Sequence, residues 1–271
     1  MEKVVNRLKD NPVVFFILNG LLYIFYGLLI GLALLPSAAL LLGLYRRGII
    51  TLTGGGVFLG CLGVGLSVYL FFVSGLLVIA LAERLLTLGI RPGKYSIGSP
   101  TFLRWLIYAG VHTLGLYMIF PYVVGSGFMG LYYNIVGCKM GRDCFINTAG
   151  LHDLYLLEMG DNVFVGGKSD ITCHLFEGDH LLLAPIKIGS DVMIGSNCYV
   201  MPGVTIEDRC DIGAGSLIRK NETVKSGTLL APLPAMPARQ MLTLMRTARG
   251  GRRLGQKQTP QKGRPVQSGR L

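Results

Sequence analysis

Between Ile188 and Val224 an aliphatic residue recurs at every sixth position: Ile188, Ile194, Val200, Ile206, Ile212, Ile218 and Val224. That period belongs to neither an α-helix nor an alternating strand. A fixed short repeat marks a stacked solenoid, and six residues make one side of a triangular coil in a parallel β-helix. One aliphatic per side then points inward. Gly189, Gly195 and Gly213 follow it where a flat side begins. Val192, Cys198, Val204, Cys210 and Ser216 place a small residue four positions on, a pattern that Glu222 breaks. Asp191, Asn197, Asp208 and Asn221 are residues that tolerate turn geometry between short strands.

The passage IGSDVMIGSNCYVMPGVTIEDRCDIGAGSLIRKNETV, together with Pro237-Ala238-Arg239, resembles the hexapeptide-repeat acyltransferase family. The resemblance spans roughly residues 140–241. It implies a left-handed parallel β-helix, a homotrimer with active sites between subunits, and transfer of an acetyl group from acetyl-CoA, or another acyl-CoA, to a hydroxyl or amine. The coil starts at Met140-Gly141 with Ile146 six residues on, slips near His152, and resumes at Met159, Val165 and Ile171. The register then returns only at Ile188, so residues 177–187 are expected to leave the coil as a loop, the usual place for a binding surface on a solenoid. Pro232, Pro234 and Pro237 prevent a further rung, and a short helix over 238–248 is expected to cap the end.

The other half of the chain follows different rules. Of 271 residues 51% are hydrophobic and 15% charged, and the charges are unevenly spread. Residues 11–45 and 48–82 contain no Asp, Glu, Lys or Arg, and each run exceeds the ~20 apolar residues that cross a bilayer. The first is too long for a signal-peptide core of ~7–15 residues. Two transmembrane helices are expected, from Pro12 to Leu35 with Pro36 ending or kinking the first, and from Val57 to Ala82, with a turn over Thr51 to Gly56. Gly60, Gly63 and Gly65 would let a neighbouring helix approach closely. Lys3, Arg7, Lys9, Arg84, Arg91, Lys94 and Arg104 flank this hairpin against Arg46 and Arg47 in its connection. By the positive-inside rule both ends face the cytosol, where acetyl-CoA is found.

A third uncharged run, Trp105 to Cys138, is interrupted by Pro121, Gly125, Gly127 and Gly130 and diluted by His112, Thr113 and Asn134. Two broken helices lying in the interface, or dipping back out, fit it better than a full span. From Arg91-Pro92-Gly93 through Phe102-Leu103-Arg104-Trp105 the chain resembles the membrane-bound branch of the family, which includes the C-terminal part of ε-poly-lysine synthetases. The expected organisation is a transmembrane hairpin over 1–90, membrane-associated helices over 91–139, the β-helix over 140–241 and a basic tail over 242–271. The net charge of +11 is concentrated in that tail. Beside a bilayer such a segment meets anionic lipid headgroups rather than nucleic acid. Cys198 and Cys210 occupy small-residue positions of the repeat, and the six cysteines show no zinc spacing.

Acyl transfer from a thioester needs a base to take the proton of the attacking group, and a neutral imidazole suits that at pH 7. His174 stands where the coil gives way to the excursion. In the maltose and galactoside O-acetyltransferases that the repeats resemble, the catalytic histidine lies between a G-D-N coil and a K-I-G restart. Here those landmarks are Gly160-Asp161-Asn162 and Lys187-Ile188-Gly189. The resemblance also assigns Asn147 and Asp153 to the acceptor, although either also makes a turn well. Glu177, as a residue able to orient an imidazole, and His152 and His180 stand behind them. For the cofactor it points to Ser196 near the thioester, Gly213, Ala214 and Gly215 along the pantetheine, and Arg219 and Lys220 near the phosphates. No metal is implied.

Two motifs are decoys. Gly166-Gly167-Lys168-Ser169 ends like a P-loop but lacks its first glycine, and Asn221-Glu222-Thr223 is a sequon unused on a cytosolic face. The expected activity is acyl transfer to a lipid-linked or membrane-proximal acceptor. The alternatives are an amide-forming domain fed by an activated amino acid, a zinc hydrase using His152, His174 and His180, and a non-catalytic scaffold.

Overall fold

A computed structural model describes residues 12–51 and 54–230. The capping helix over 238–248, Pro237-Ala238-Arg239 and the basic tail lie outside those residues. Helix α1 spans Pro12–Arg46 and passes through Pro36 without ending there. Helix α2 spans Gly55–Thr87, reaching beyond Ala82 through Glu83 and Arg84. Both are long and apolar enough to cross a membrane. Their outer surfaces expose Phe16, Leu28, Leu35, Leu62 and Tyr69.

The two helices are joined by small residues and hydroxyls, which let two backbones approach closely. Ser37 Oγ donates to Ser67 O at 2.7 Å and Ser74 Oγ to Ala33 O at 2.6 Å. Of the expected close-approach glycines, Gly63 is the tight one: a Cβ there would lie 2.9 Å from Leu44. Gly65 faces open space.

The segment expected to hold only helices begins with a strand, β1 (Gly93–Ser96). Helix α3 (Pro100–Met118) follows, capped by Ser99, whose Oγ accepts from Phe102 N at 3.2 Å. A short helix α4 (Phe120–Val123) and helix α5 (Gly127–Val136) complete it, with Gly137 ending α5 at φ 101°. The breaks fall near Pro121 and Gly125, where the sequence places them. Phe102, Trp105, Tyr108, Val111, His112 and Gly115 are buried at helical spacing, so one face of α3 packs inward.

Residues 139–230 wind into a left-handed parallel β-helix. Its first side stacks β2 (Lys139–Met140), β5 (Leu157–Met159), β10 (Ile186–Ile188), β13 (Thr205–Ile206) and β16 (Thr223–Val224). The second stacks β3 (Phe145–Ile146), β6 (Phe164–Val165), β11 (Met193–Ile194), β14 (Asp211–Ile212) and β17 (Leu229–Leu230). The third stacks β4 (Leu151–His152), β7 (Asp170–Thr172), β12 (Tyr199–Val200) and β15 (Leu217–Ile218). Ile188 aligns with Ile206, and Ile206 with Val224, three six-residue sides further on each time. All seven aliphatics of the repeat are buried.

Near His152 the register shortens. Leu151, not His152, aligns with Ile171 and fills the core, and a 3₁₀ turn at Leu154–Leu156 restores the phase. The turn residues Asp191, Asn197 and Asn221 adopt positive φ, but Asp208 does not: Arg209 takes the left-handed position. Asp208 instead accepts the Ser190 N–H at 2.8 Å through Oδ1. The corner glycines are held by close stacking: a Cβ on Gly195 would lie 2.5 Å from Ala214 N.

The excursion leaves the coil earlier than expected and is not an irregular loop. Strands β8 (His174–Glu177) and β9 (His180–Leu183) form an antiparallel hairpin closed by Gly178 at φ 60°. β1 adds to its other edge, giving the order β1-β9-β8. A strand that follows the second apolar helix thus pairs with the hairpin whose base carries His174.

Core truncation by Ile206→Ala should lower stability by about 2–5 kcal/mol. Gly195→Ala should lower the thermal midpoint, whereas Gly65→Ala, which meets nothing within 4 Å, should leave it unchanged or slightly raised. Circular-dichroism melts measure all three, and equal shifts for the two glycine variants would contradict the close stacking.

Candidate active site

Asp153 sits at the shortened corner with φ 54°, a left-handed conformation that aspartate tolerates better than most residues. That geometry turns its carboxylate inward, where the side chain is 1% exposed. Two side chains satisfy the carboxylate and a third takes the backbone N–H. His174 Nδ1 lies 2.6 Å from Oδ2, Trp105 Nε1 donates to Oδ1 at 2.8 Å, and the Asp153 N–H donates to Tyr108 Oη at 2.9 Å. Burial alone would raise the Asp153 carboxyl, but the hydrogen bonds from His174 and Trp105 hold it below its usual range.

A side chain so enclosed cannot touch an acceptor. The enclosed Asp153 carboxylate is directed at the His174 imidazole and the Trp105 indole, not at the surface where the sequence reading places an acceptor. With Nδ1 directed at the carboxylate, His174 presents Nε2 as its free nitrogen, on a ring that is 28% exposed. Thr172 Oγ1 lies 3.0 Å from the same Nδ1, and Trp105 packs edge-on to the ring at 4.9 Å. Phe176 packs against Trp105 at 5.7 Å. A carboxylate, an imidazole held in one tautomer and an aromatic wall make a proton acceptor.

His152 lies beside this pair, its ring 6.1 Å from that of His174 and its Nε2 3.6 Å from Asp170 Oδ1. Burial first, and then His112, push its imidazole down to about 4. His112 reaches in from α3, 5.0 Å from the His152 ring. Its Nδ1 lies 3.1 Å from Glu83 Oε1, and Tyr132 Oη donates to Glu83 Oε2 at 2.8 Å. Glu83 is 0% exposed, at the end of α2. His112 Nε2 is buried without a hydrogen-bond partner.

The other residues singled out from the sequence fall elsewhere. His180 stands at the turn end of the hairpin, opposite Glu177, and pairs with Asp179 at 2.5 Å. It is six residues from His174 around the hairpin, about 10 Å along the strand pair. Glu177 pairs with Lys220 and lies 3.9 Å from Lys94 instead of facing the imidazole. Among the described residues of one chain no group of three His, Cys, Asp and Glu side chains could hold a metal ion.

Asn147, Ser196 and Gly213-Ala214-Gly215 stack at the corner that follows the second side. Asn147 N donates to Val165 O at 2.9 Å, and Gly215 N donates to Ser196 O at 2.9 Å. Arg219 and Lys220 follow the third side, where the Arg219 N–H donates to Glu222 Oε2 at 3.0 Å. The two groups thus bracket the third side, which also carries Asp170.

Trp105, Tyr108, His112 and Glu83 were not among the sequence candidates. Their signal was weak but present: the chain's single tryptophan and a lone histidine seven residues on, both on one helical face of an uncharged run.

Comparison with known proteins adds partial likenesses. Residues 185–220 match the bacterial transferase hexapeptide (six repeats). The chain is 26% identical over 176 residues to a delta-poly-L-ornithine synthetase of Acinetobacter baumannii, covering 64% of this chain and 13% of that one. It is 32% identical over 110 residues to galactoside O-acetyltransferase of Escherichia coli, covering 38% and 53%. Among solved structures, a maltose O-acetyltransferase from Clostridium difficile aligns at 18% identity and TM-score 0.38, covering 57% and 93%. The chain spans at most about half the length of the two curated relatives named here.

Linkage gives the Asp153 pair a sign. A carboxyl whose folded pKa is depressed adds stability that is present above its unfolded value of ~3.9 and is lost as pH falls through the folded one. Asp153→Asn should therefore unfold at lower urea than the parent at pH 7, with the gap closing only below about pH 4. A gap independent of pH between 2 and 7 would mean that Asp153 is held as the neutral acid.

Proposed function

We propose that this chain, whose coil belongs to the hexapeptide-repeat acyltransferase family, is a membrane-bound acyltransferase that uses acetyl-CoA or another acyl-CoA, with His174 as general base. The single observation that carries the reading is the His174–Asp153 pair at 2.6 Å. It stands where the coil opens into the hairpin, beside glycine-rich corners that leave backbone accessible to an extended pantetheine arm.

The chemistry follows from the free nitrogen. His174 Nε2 takes the proton of the acceptor hydroxyl or amine, whose freed lone pair attacks the thioester carbonyl. The carbonyl oxygen becomes an oxyanion, and a backbone N–H at the Gly195-Ser196 corner is suited to stabilise it. As the C–S bond breaks, the imidazolium returns its proton to the departing thiolate. Asp153 holds Nδ1–H throughout, so that the imidazolium is stabilised where it forms. Arg219 and Lys220 are suited to the phosphates of CoA, Lys220 after release from Glu177.

The exposed apolar surfaces of α1 and α2 support membrane insertion, since the hydropathy windows of the two helices are only 17% and 28% buried. The distribution of basic flanks favours a cytosolic coil. The match to the poly-ornithine synthetase covers more of the chain than the coil alone, which supports helices and coil working as one unit. An acceptor confined to the bilayer, such as a lipid-linked sugar, would make that tether useful. Incubation with acetyl-CoA and total membrane lipid should give an acetylated product by mass spectrometry, reduced at least ~100-fold in His174→Ala. Equal product from the two proteins would refute His174 as the base, and no product from either across several acyl-CoAs would favour the scaffold reading.

Trimerisation is part of the same proposal. The first side is polar, with Lys139 and Glu158 paired at 2.6 Å. The second and third sides expose Phe145, Phe164, Met193, Tyr199 and Leu217, surfaces suited to burial between copies. Met193→Glu combined with Leu217→Glu should convert a trimer to a monomer in detergent by light scattering, and an unchanged mass would contradict this use of the two sides.

A further inference from the structure

Acyl transfer by this mechanism accepts either a hydroxyl or an amine, and Asp170 is placed to distinguish them. It stands on the outer face of the third side, aligned with Tyr199, and its side chain is 36% exposed. Its Oδ1 lies 3.6 Å from His152 Nε2. Among the described residues no lysine or arginine comes within ion-pair range of it. Glu158, Asp161, Glu177 and Glu207 each have such a partner.

A carboxylate withdrawn from water ordinarily finds a cation, because lost hydration must be replaced by some other favourable contact. Asp170 has no lysine or arginine to do so; burial pushes its carboxyl above the usual range, and the imidazoles of His174 and His112 counter this only in part. His152 does not supply the charge, since its imidazole is held down to about 4 and is neutral at cellular pH. Asp153, the other acid nearby, is enclosed and committed to His174 and Trp105. A negative charge with no lysine or arginine beside it therefore lies on the face that carries His152, near the base.

We infer that Asp170, flanked by His152, is a binding site for a primary ammonium, and that the acceptor of the proposed transfer is an amine. This rests on the acyltransferase reading. The acceptor enters as R–NH₃⁺, held by the Asp170 carboxylate. His174 Nε2 takes one proton, and the nitrogen lone pair attacks the thioester carbonyl. The C–N bond forms, the C–S bond breaks, and the imidazolium proton passes to the thiolate sulfur. A second nitrogen proton leaves to water, so the product is a neutral amide. The carboxylate thus lowers KM for the cation and keeps the amine hydrogen-bonded after its first proton has gone.

The test uses the full chain in detergent with acetyl-CoA and matched acceptors, n-alkyl primary amines and n-alkyl alcohols of three to eight carbons. CoA release is measured, and products are identified by mass spectrometry. The expected result is a kcat/KM at least tenfold higher for amines, with Asp170→Asn raising the amine KM tenfold or more while kcat changes less. Glu158→Gln, on the opposite polar side, should behave as the parent. Alcohols acylated as well as amines, or an amine KM unaffected by Asp170→Asn, would overturn the inference and leave acyl transfer standing. No His174-dependent product from any acceptor would overturn both. The amine preference of the unmutated protein decides the matter even if Asp170→Asn fails to fold.

Discussion

A buried carboxylate must be answered from several directions at once, and Asp153 is where this molecule meets that demand. Its partners come from α3, through Trp105 and Tyr108, and from the base of the hairpin, through His174. Trp105 and His174 answer the carboxylate itself, so removing either leaves a charge in a medium that penalises it, while Tyr108 takes the backbone N–H of the same residue. The same three contacts fix the relation of helix, coil and hairpin, so the feature that orients the imidazole also joins the two halves of the chain. A second buried acid repeats the arrangement one layer away: Glu83, on α2, is answered by His112 from α3 and Tyr132 from α5.

These two clusters give the helical segment a purpose that its composition hides. Strand β1 follows α2 and enters the sheet of the hairpin, while α3 lays its buried face against the corner of the coil. The catalytic candidate is therefore held from the helical side by a strand, an indole and a phenol, and from the other side by the rungs. The coil supplies a rigid lattice, since at corners such as Gly189 and Gly195 there is no room for a methyl group.

The solenoid was legible because its signal is periodic and redundant. Seven aliphatics at one spacing survive any single exception, and the residues aligned by the sheets are those aligned by the count of six. Departures from the period were harder. The shortening at Leu151 leaves only one displaced residue in the sequence. Arg209, eighteen residues after Asp191, takes the turn position that composition gives to Asp208, and Asp208 accepts the Ser190 N–H instead. The excursion was readable as two strands about Glu177-Gly178-Asp179, a turn signal, but the search for the next sixth residue obscured it. Asp153 was found as a polar residue and not as the partner of His174, since that pairing depends on a left-handed backbone and on a helix nearly fifty residues upstream. An apolar helix announces that it will be buried or inserted, but not which face it turns to a histidine.

One consequence of the indole's position lies in spectroscopy. Trp105 is the only tryptophan in the chain, and its ring centroid is 4.9 Å from that of His174. Emission excited at the red edge of protein absorbance therefore originates beside the reactive nitrogen, and a protonated imidazole against an indole is an effective quencher. The molecule thus carries its own optical reporter beside the imidazole proposed as the base, with no label attached and no second indole to contribute.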